Sequence, residues 1–172
     1  MEIHWQKLHI KVKDVRYVEL KYKVDEINFI LNEVVIKKLN EFRQKRNIDP
    51  ESGGLLLGRT DIHGNTRIID ITVPLEGDVQ SRFIFLRKSK KHKDILRESK
   101  KRCLYFKGNW HTHPVKVPKP SWTDIISWKN TLKKSKPGES MYCFFIIIGI
   151  KDIRVWYGNI YTKEIKEANL IQ

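Results

Sequence analysis

"GNWHTHPVKVPKPSWTDIISW", residues 108–128, sets two histidines one residue apart, follows them with three prolines, and resumes with Ser-x-x-Asp ahead of an apolar run. The residues leading in from Leu104 read as a strand, in which His111 and His113 project from one face with Cα atoms roughly 6.5 to 7 Å apart. Two imidazoles so placed can converge on one metal ion. Pro114, Pro118 and Pro120 each fix φ and favour an extended path, so the next helix begins where the prolines stop. Ser121 is a good N-cap, and "SWTDIISW" places Asp124 in the first helical turn, ahead of Ile125, Ile126 and Trp128. That turn can swing a carboxylate toward the histidines.

Each half of the stretch also has a local reading. His-x-His is commonly two strand residues facing solvent, and Ser-x-x-Asp before an apolar run is a capping box that needs no metal. Together, two histidines and one carboxylate make a three-ligand zinc set that leaves a fourth position open, as catalytic zinc sites do.

Outward from this stretch the chain reads as many strands with three helices interspersed, an α/β or α+β sheet protein. The first 24 residues alternate apolar and polar side chains, predicting one or two half-exposed strands. "INFIL" at 27–31 is a further strand. Asn32 reads as an N-cap, and Val35, Leu39 and Phe42 fall at helical spacing through 33–46. Asp49 and Pro50 break the chain before a short glycine-bounded strand, "GGLLLG", at 53–58. "TRIIDITVP" at 66–74 and "RFIFLR" at 82–87 read as strands, and a basic helix follows. "MYCFFIIIGI" at 141–150 and Ile153–Trp156 predict a hairpin with Lys151 and Asp152 near its tip. No repeat or Gly/Ser linker divides the 172 residues, so one domain is expected.

Composition narrows the function classes. The longest apolar run, 141–150, is about half of what a membrane-spanning helix requires, and it reads as a buried strand. The opening "MEIHWQKLHIKVKD" interleaves charge with apolar residues and has no secretory pattern, so a cytoplasmic protein is expected. Cys103 and Cys143 sit in unrelated contexts, which excludes a CxxC site or a disulfide framework. The formal net charge is +14, and residues 87–102 hold nine Lys or Arg against two acids. Such a stripe suits phosphates or an acidic protein, but it also suits a solvated helix face, and it lacks the interleaved aromatics on which single-strand binders stack bases.

"HTHPVKVPKPSWTD" resembles the signature of the JAMM (JAB/MPN) metallopeptidase family, H-x-H-P-x(6)-S-x-x-D, with every fixed position present. "ESGGLLLG" at 51–58 is similar to the family's remaining element, a glutamate ahead of a Gly-rich apolar strand. The order of elements matches from about residue 27 to 160. The resemblance implies an α/β, MPN/JAB-like fold: a mixed, curved sheet flanked by about three helices in a single domain. Residues 1–26 would be an extension of one or two strands, and 161–172 a tail packed on the same domain.

Carried over position by position, the resemblance implies that His111, His113 and Asp124 hold one Zn²⁺, that Glu51 is the general acid/base, and that Ser121 steadies the oxyanion. Active members hydrolyse the isopeptide bond between the C-terminal glycine of ubiquitin or a ubiquitin-like protein and a lysine amine. The phrases "GGLLLG", "RFIFLR" and "GNWHTHP" look like the compact bacterial JAB peptidases of antiphage operons, including the deconjugating peptidase of CBASS systems and those accompanying bacterial ubiquitin-like conjugation, and imply a ubiquitin-like or conjugated protein as partner. Trp110, Trp122 and Arg87, with the basic helix, are candidate walls of a substrate groove, whereas Trp128 reads as core. Asn109 departs from the acidic residue expected there. The RadC-type JAB domain shares part of the motif, but Thr112 and Val115-Lys116 argue against it. The competing reading is a non-catalytic nucleic-acid-binding module whose His, Ser and Asp are structural.

Overall fold

Side chains alternate in the run from Tyr142 to Ile148, sending Phe144, Ile146 and Ile148 into one apolar cluster and Cys143, Phe145 and Ile147 into another. A strand apolar on both faces belongs in the middle of a sheet with cover on each side. The computed structural model describes residues 19–46, 48–136 and 140–172 and places it there. The described elements run β1 (Leu20–Val24), β2 (Ile27–Leu31), α1 (Glu33–Glu41), β3 (Gly53–Thr60), β4 (Thr66–Ile71), β5 (Val79–Ser81), β6 (Ile84–Leu86) and α2 (Lys91–Lys101). They continue with β7 (Tyr105–Thr112), α3 (Trp122–Lys134), β8 (Tyr142–Ile148), β9 (Ile153–Asn159), β10 (Ile165–Glu167) and β11 (Asn169–Leu170).

Nine strands form one mixed sheet in the order β10-β9-β8-β7-β3-β4-β2-β1-β11. Neighbours are antiparallel except β2 with β4 and β7 with β8, which are parallel. The β7 to β8 connection carries α3, as a parallel crossover requires. Only Ala168 separates β10, at one end of that order, from β11, at the other, and its N–H bonds Val155 O at 2.8 Å. The sheet therefore curls until residues 165–170 join its two ends. Tyr22 Oη, from β1, donates across the same junction to Ile153 O at 3.1 Å.

The curved sheet encloses the larger core, with Phe29, Leu31, Leu56, Ile68, Trp110 and Phe144 inside and Val35 and Leu39 of α1 packed among them. On the other face α3 covers β8 and β9, with the Trp128 ring stacked on Phe145 at a centroid distance of 4.7 Å. The α2 helix lays Ile95 and Leu96 over Leu55, Leu57 and Leu104. Gly108 bends β7 where its register against β3 shifts: φ is +145°, and a Cβ there would stand 1.7 Å from Phe144 O.

Several boundaries differ from the sequence reading. The first helix stops at Glu41 rather than at 46, with Phe42 as its C-cap. The basic helix starts at Lys91 rather than following directly on Leu86. The expected strand at 82–87 shrinks to Ile84–Leu86 and does not join the main sheet, because it pairs with Val79–Ser81 in a separate two-stranded ribbon. The expected strands before residue 19 lie outside the described residues, and Leu20–Val24 is a strand of the main sheet. No helix of the described residues is long and apolar enough to cross a membrane.

Candidate active site

Strand parity builds the first part of the site. Along β7, Trp110 and Thr112 turn inward and are buried, which leaves His111 on the opposite face. His113 lies one step past the strand and remains tied to β8 through its N–H to Ile148 O at 2.9 Å. The following loop is fastened from Ile150 N to Val115 O and from Lys151 N to Lys116 O, at 2.7 and 3.1 Å. It delivers the chain to Ser121, the N-cap of α3, and so brings the first helical turn to the end of β7.

There the predicted trio meets. His111 Nε2 and His113 Nε2 are 3.0 Å apart, and Asp124 stands 3.1 Å from the first through Oδ1 and 3.4 Å from the second through Oδ2. All three side chains are mostly buried. A tetrahedral zinc with bonds of about 2.0–2.1 Å separates its donor atoms by roughly 3.3 Å, so these spacings fit such an ion. The donor types, two imidazoles and a carboxylate, fit it as well. Burial presses the Asp124 carboxyl upward, but hydrogen bonds from His111, His113 and Ser121 hold it well below the usual carboxylate range. Burial presses the His113 pKa down, yet Asp124, Glu51 and the Lys119 backbone outweigh it and raise the pKa.

Glu51 completes the cluster from the far side. Its carboxylate Oε1 lies 3.9 Å from His113 Nε2, with the side chain 8% exposed. Burial pushes this carboxyl up to about 7, with the His113 charge opposing and the Asp124 charge reinforcing the shift. The β5–β6 ribbon, absent from the sequence reading in this form, holds Glu51 in place. Glu51 N donates to Ser81 O at 2.8 Å, and Gln80 Nε2 donates to Glu51 O at 2.9 Å. The Phe85 ring lies where a Cβ on Gly53 would stand, 2.4 Å from its Cδ1, so the glycine lets the ribbon close on β3.

The remaining predicted residues occupy distinct settings. Ser121 Oγ donates to Asp124 Oδ2 at 2.6 Å, so in this arrangement its proton orients the carboxylate rather than facing an open position. Trp110 is 1% exposed, packs against Phe42 and donates its indole N–H to Thr72 O at 2.8 Å. It faces the core and is no wall of a groove. Trp128 is core as well. Trp122 is 77% exposed at the start of α3, next in the chain to the N-cap Ser121. Arg87 Nη1 donates to Asn109 Oδ1 at 2.8 Å, which puts the guanidinium next to the β7 position two residues before His111. On the basic helix and its flanks, Lys91, Arg97, Lys101 and Arg102 pair with Glu76, Asp94, Glu98 and Asp70.

A family profile described as prokaryotic homologs of the JAB domain matches residues 37–158. A protein of Escherichia coli (strain TW11681) named CD-NTase/cGAS isopeptidase is 35% identical over 143 residues, which cover 80% of this chain and 85% of that protein. A protein of Vibrio cholerae serotype O1 with the same name is 34% identical over 142 residues, covering 80% and 81%. Among solved structures, a solution structure of a protein from Desulfitobacterium hafniense superposes with a TM-score of 0.59 over 84% of this chain and 91% of that one, at 20% identity, a likeness of fold. With that profile spanning most of its length, the chain belongs to the prokaryotic JAB-domain family.

Proposed function

We propose that this protein is a JAMM-type zinc isopeptidase that releases a conjugated protein by hydrolysing the bond after its C-terminal residue. The observation that carries the reading is the convergence of His111, His113 and Asp124 within hydrogen-bond distances, with the Glu51 carboxylate 3.9 Å from His113. His111, His113 and Asp124 would hold the ion. When bound, zinc supplies Lewis acidity, acidifying coordinated water to near neutral pH and polarising a carbonyl.

The chain's own residues do the rest. Glu51, with its carboxylate 3.9 Å from His113, is placed to accept a proton from the attacking water and to return it to the leaving amine. The ribbon's bonds to its backbone fix where that proton is held. Ser121 orients Asp124 and, on turning its O–H away from that carboxylate, offers a donor to the oxygen on which charge develops. Arg87 beside Asn109 and the exposed Trp122 supply a cation and an apolar surface for the tail that leads to the scissile bond.

Relatives named CD-NTase/cGAS isopeptidase support a conjugated nucleotidyltransferase of that class as the substrate, and we propose that its C-terminus is the part joined to an amine. The same names fit a place in bacterial antiphage defence of the CBASS type, and we propose that the protein acts in the cytoplasm. The test pairs metal content with cleavage. Wild type should carry near one zinc per chain by mass spectrometry and should release a CD-NTase from an isopeptide-linked conjugate, and His113→Ala should do neither. A folded wild type that takes up no zinc on reconstitution, or a zinc-loaded one that leaves such conjugates intact, would overturn the assignment.

A further inference from the structure

A buried amide outside the site joins three segments around it. Gln44, in the loop after α1, is 1% exposed. Its Nε2 donates to Asp49 O and to Arg82 O, both at 3.0 Å, and its Oε1 accepts the Thr112 hydroxyl, also at 3.0 Å. Thr112 lies between His111 and His113 on the inward face of β7, and the same hydroxyl accepts the Ser52 N–H at 3.0 Å. The backbone reinforces the link, with Thr112 N donating to Ser52 O at 2.9 Å. One buried amide thus spans the loop that precedes Glu51, the ribbon that follows the Ser81 contact, and the strand that carries the histidines.

A polar group this deeply buried is retained at a cost unless every partner is met, and here both donors and the acceptor are used. Of the three partners of Gln44, Asp49 is five residues away and closes the local loop, whereas Arg82 and Thr112 lie 38 and 68 residues away, so the network also registers distant segments. Glu51 sits at its centre without touching it: Ser52 is bonded to Thr112, and Ser81, which accepts the Glu51 N–H, is next to Arg82.

We propose that Gln44 and Thr112 are a positioning pair that sets the Glu51 carboxylate against the metal ligands, acting through Ser52 and the ribbon rather than on substrate. The inference rests on the isopeptidase reading for its catalytic consequence, but not for the coupling itself. Holding a general base within a fraction of an ångström is the kind of placement on which turnover depends steeply.

Thr112→Val removes the hydroxyl and keeps the shape. It should lower kcat about 30-fold with KM within about twofold and zinc per chain unchanged, while Thr112→Ser restores most of the rate. An unchanged kcat, or a loss matched by loss of zinc, would overturn the role. Gln44→Leu gives a readout free of turnover. Amide exchange at Glu51, whose N–H bonds Ser81 and not Gln44, should quicken about tenfold while the amide of Ile146 keeps its wild-type rate. If the Glu51 amide is unaffected, the coupling is wrong. A wild type that cleaves no conjugate would count against the isopeptidase reading, and the exchange rates would still decide the coupling.

Discussion

Ser121 and Asp124 cap each other at the start of α3: Ser121 Oγ accepts the Asp124 N–H at 3.2 Å, and Asp124 Oδ2 accepts the Ser121 N–H at 2.6 Å. Asp124 Oδ1 meanwhile faces His111 Nε2 at 3.1 Å. The capping box and the metal set, alternatives in the sequence, are one arrangement in space, with the carboxylate anchored by Ser121 through Oδ2, which also lies 3.4 Å from His113 Nε2, and presenting Oδ1 to His111. The helix terminus is the device that aims the ligand.

That dual use separates two substitutions. Asp124→Ala removes both roles and should cost about 1 kcal/mol of stability measured on metal-free protein, as loss of an N-terminal cap does. Asp124→Asn keeps most of the cap and should cost less metal-free stability than Asp124→Ala, losing mainly what the carboxylate gains from His111 and His113. Both should lose zinc on dialysis against a chelator that leaves wild type loaded. Urea unfolding beside metal analysis checks the pair of outcomes.

Removing the proton carrier without touching a ligand tests the role of Glu51. Glu51→Gln should lower kcat by about 10² to 10⁴, the range expected for a positioned general acid/base, with zinc per chain unchanged. Turnover at the wild-type rate would remove Glu51 from the reaction.

Much of the site was legible because it is local. The histidines and Asp124 lie within fourteen residues, where strand parity, three prolines and one N-cap determine the relative placement. The same parity decides Trp110: if His111 projects outward, its neighbour must turn in, and the indole is core for that reason. The ribbon was less legible. Its strands are three residues each, too short for a period to declare itself, and their placement depends on Asp78 rather than on apolar alternation. Gln44 gave no signal at all, since a polar residue with partners 38 and 68 positions away reads as an exposed one.

Asp78 organises the approach to the ribbon and should reveal itself through pH. Its side chain is 1% exposed and accepts the N–H groups of Leu75, Lys88 and Ser89, and it meets His92 Nε2 at 2.8 Å. Burial presses this carboxyl upward, but those hydrogen bonds outweigh it and lower the pKa. A carboxyl depressed in the fold contributes stability above its unfolded pKa of about 3.9, and that stability is lost as pH falls through the folded value. Asp78→Asn should therefore be less stable than wild type by about 2 kcal/mol at pH 7, with the gap narrowing below about pH 4. A gap that stays constant in thermal melts from pH 7 to pH 3 would contradict this.

Two tryptophans on one helix should part company. Trp128→Ala empties a site stacked on Phe145 and should cost about 3–5 kcal/mol in urea unfolding. Trp122→Ala should leave stability within about 0.5 kcal/mol and raise KM for a protein conjugate several-fold, because its ring is open to solvent beside the site. Equal KM values would place Trp122 outside the groove.

The joining of β10 and β11 through Ala168 has a consequence for handling the protein. Because eight residues shield strands at both ends of the sheet, cutting the chain before Ile165 would bare the outer rows of β9 and β1 in a single step. Each row carries unpaired amide and carbonyl groups that invite a strand from another molecule. A shortened chain should therefore stick to copies of itself through backbone pairing, even with every residue of the metal cluster intact, and its losses on concentration should not be mistaken for loss of the site.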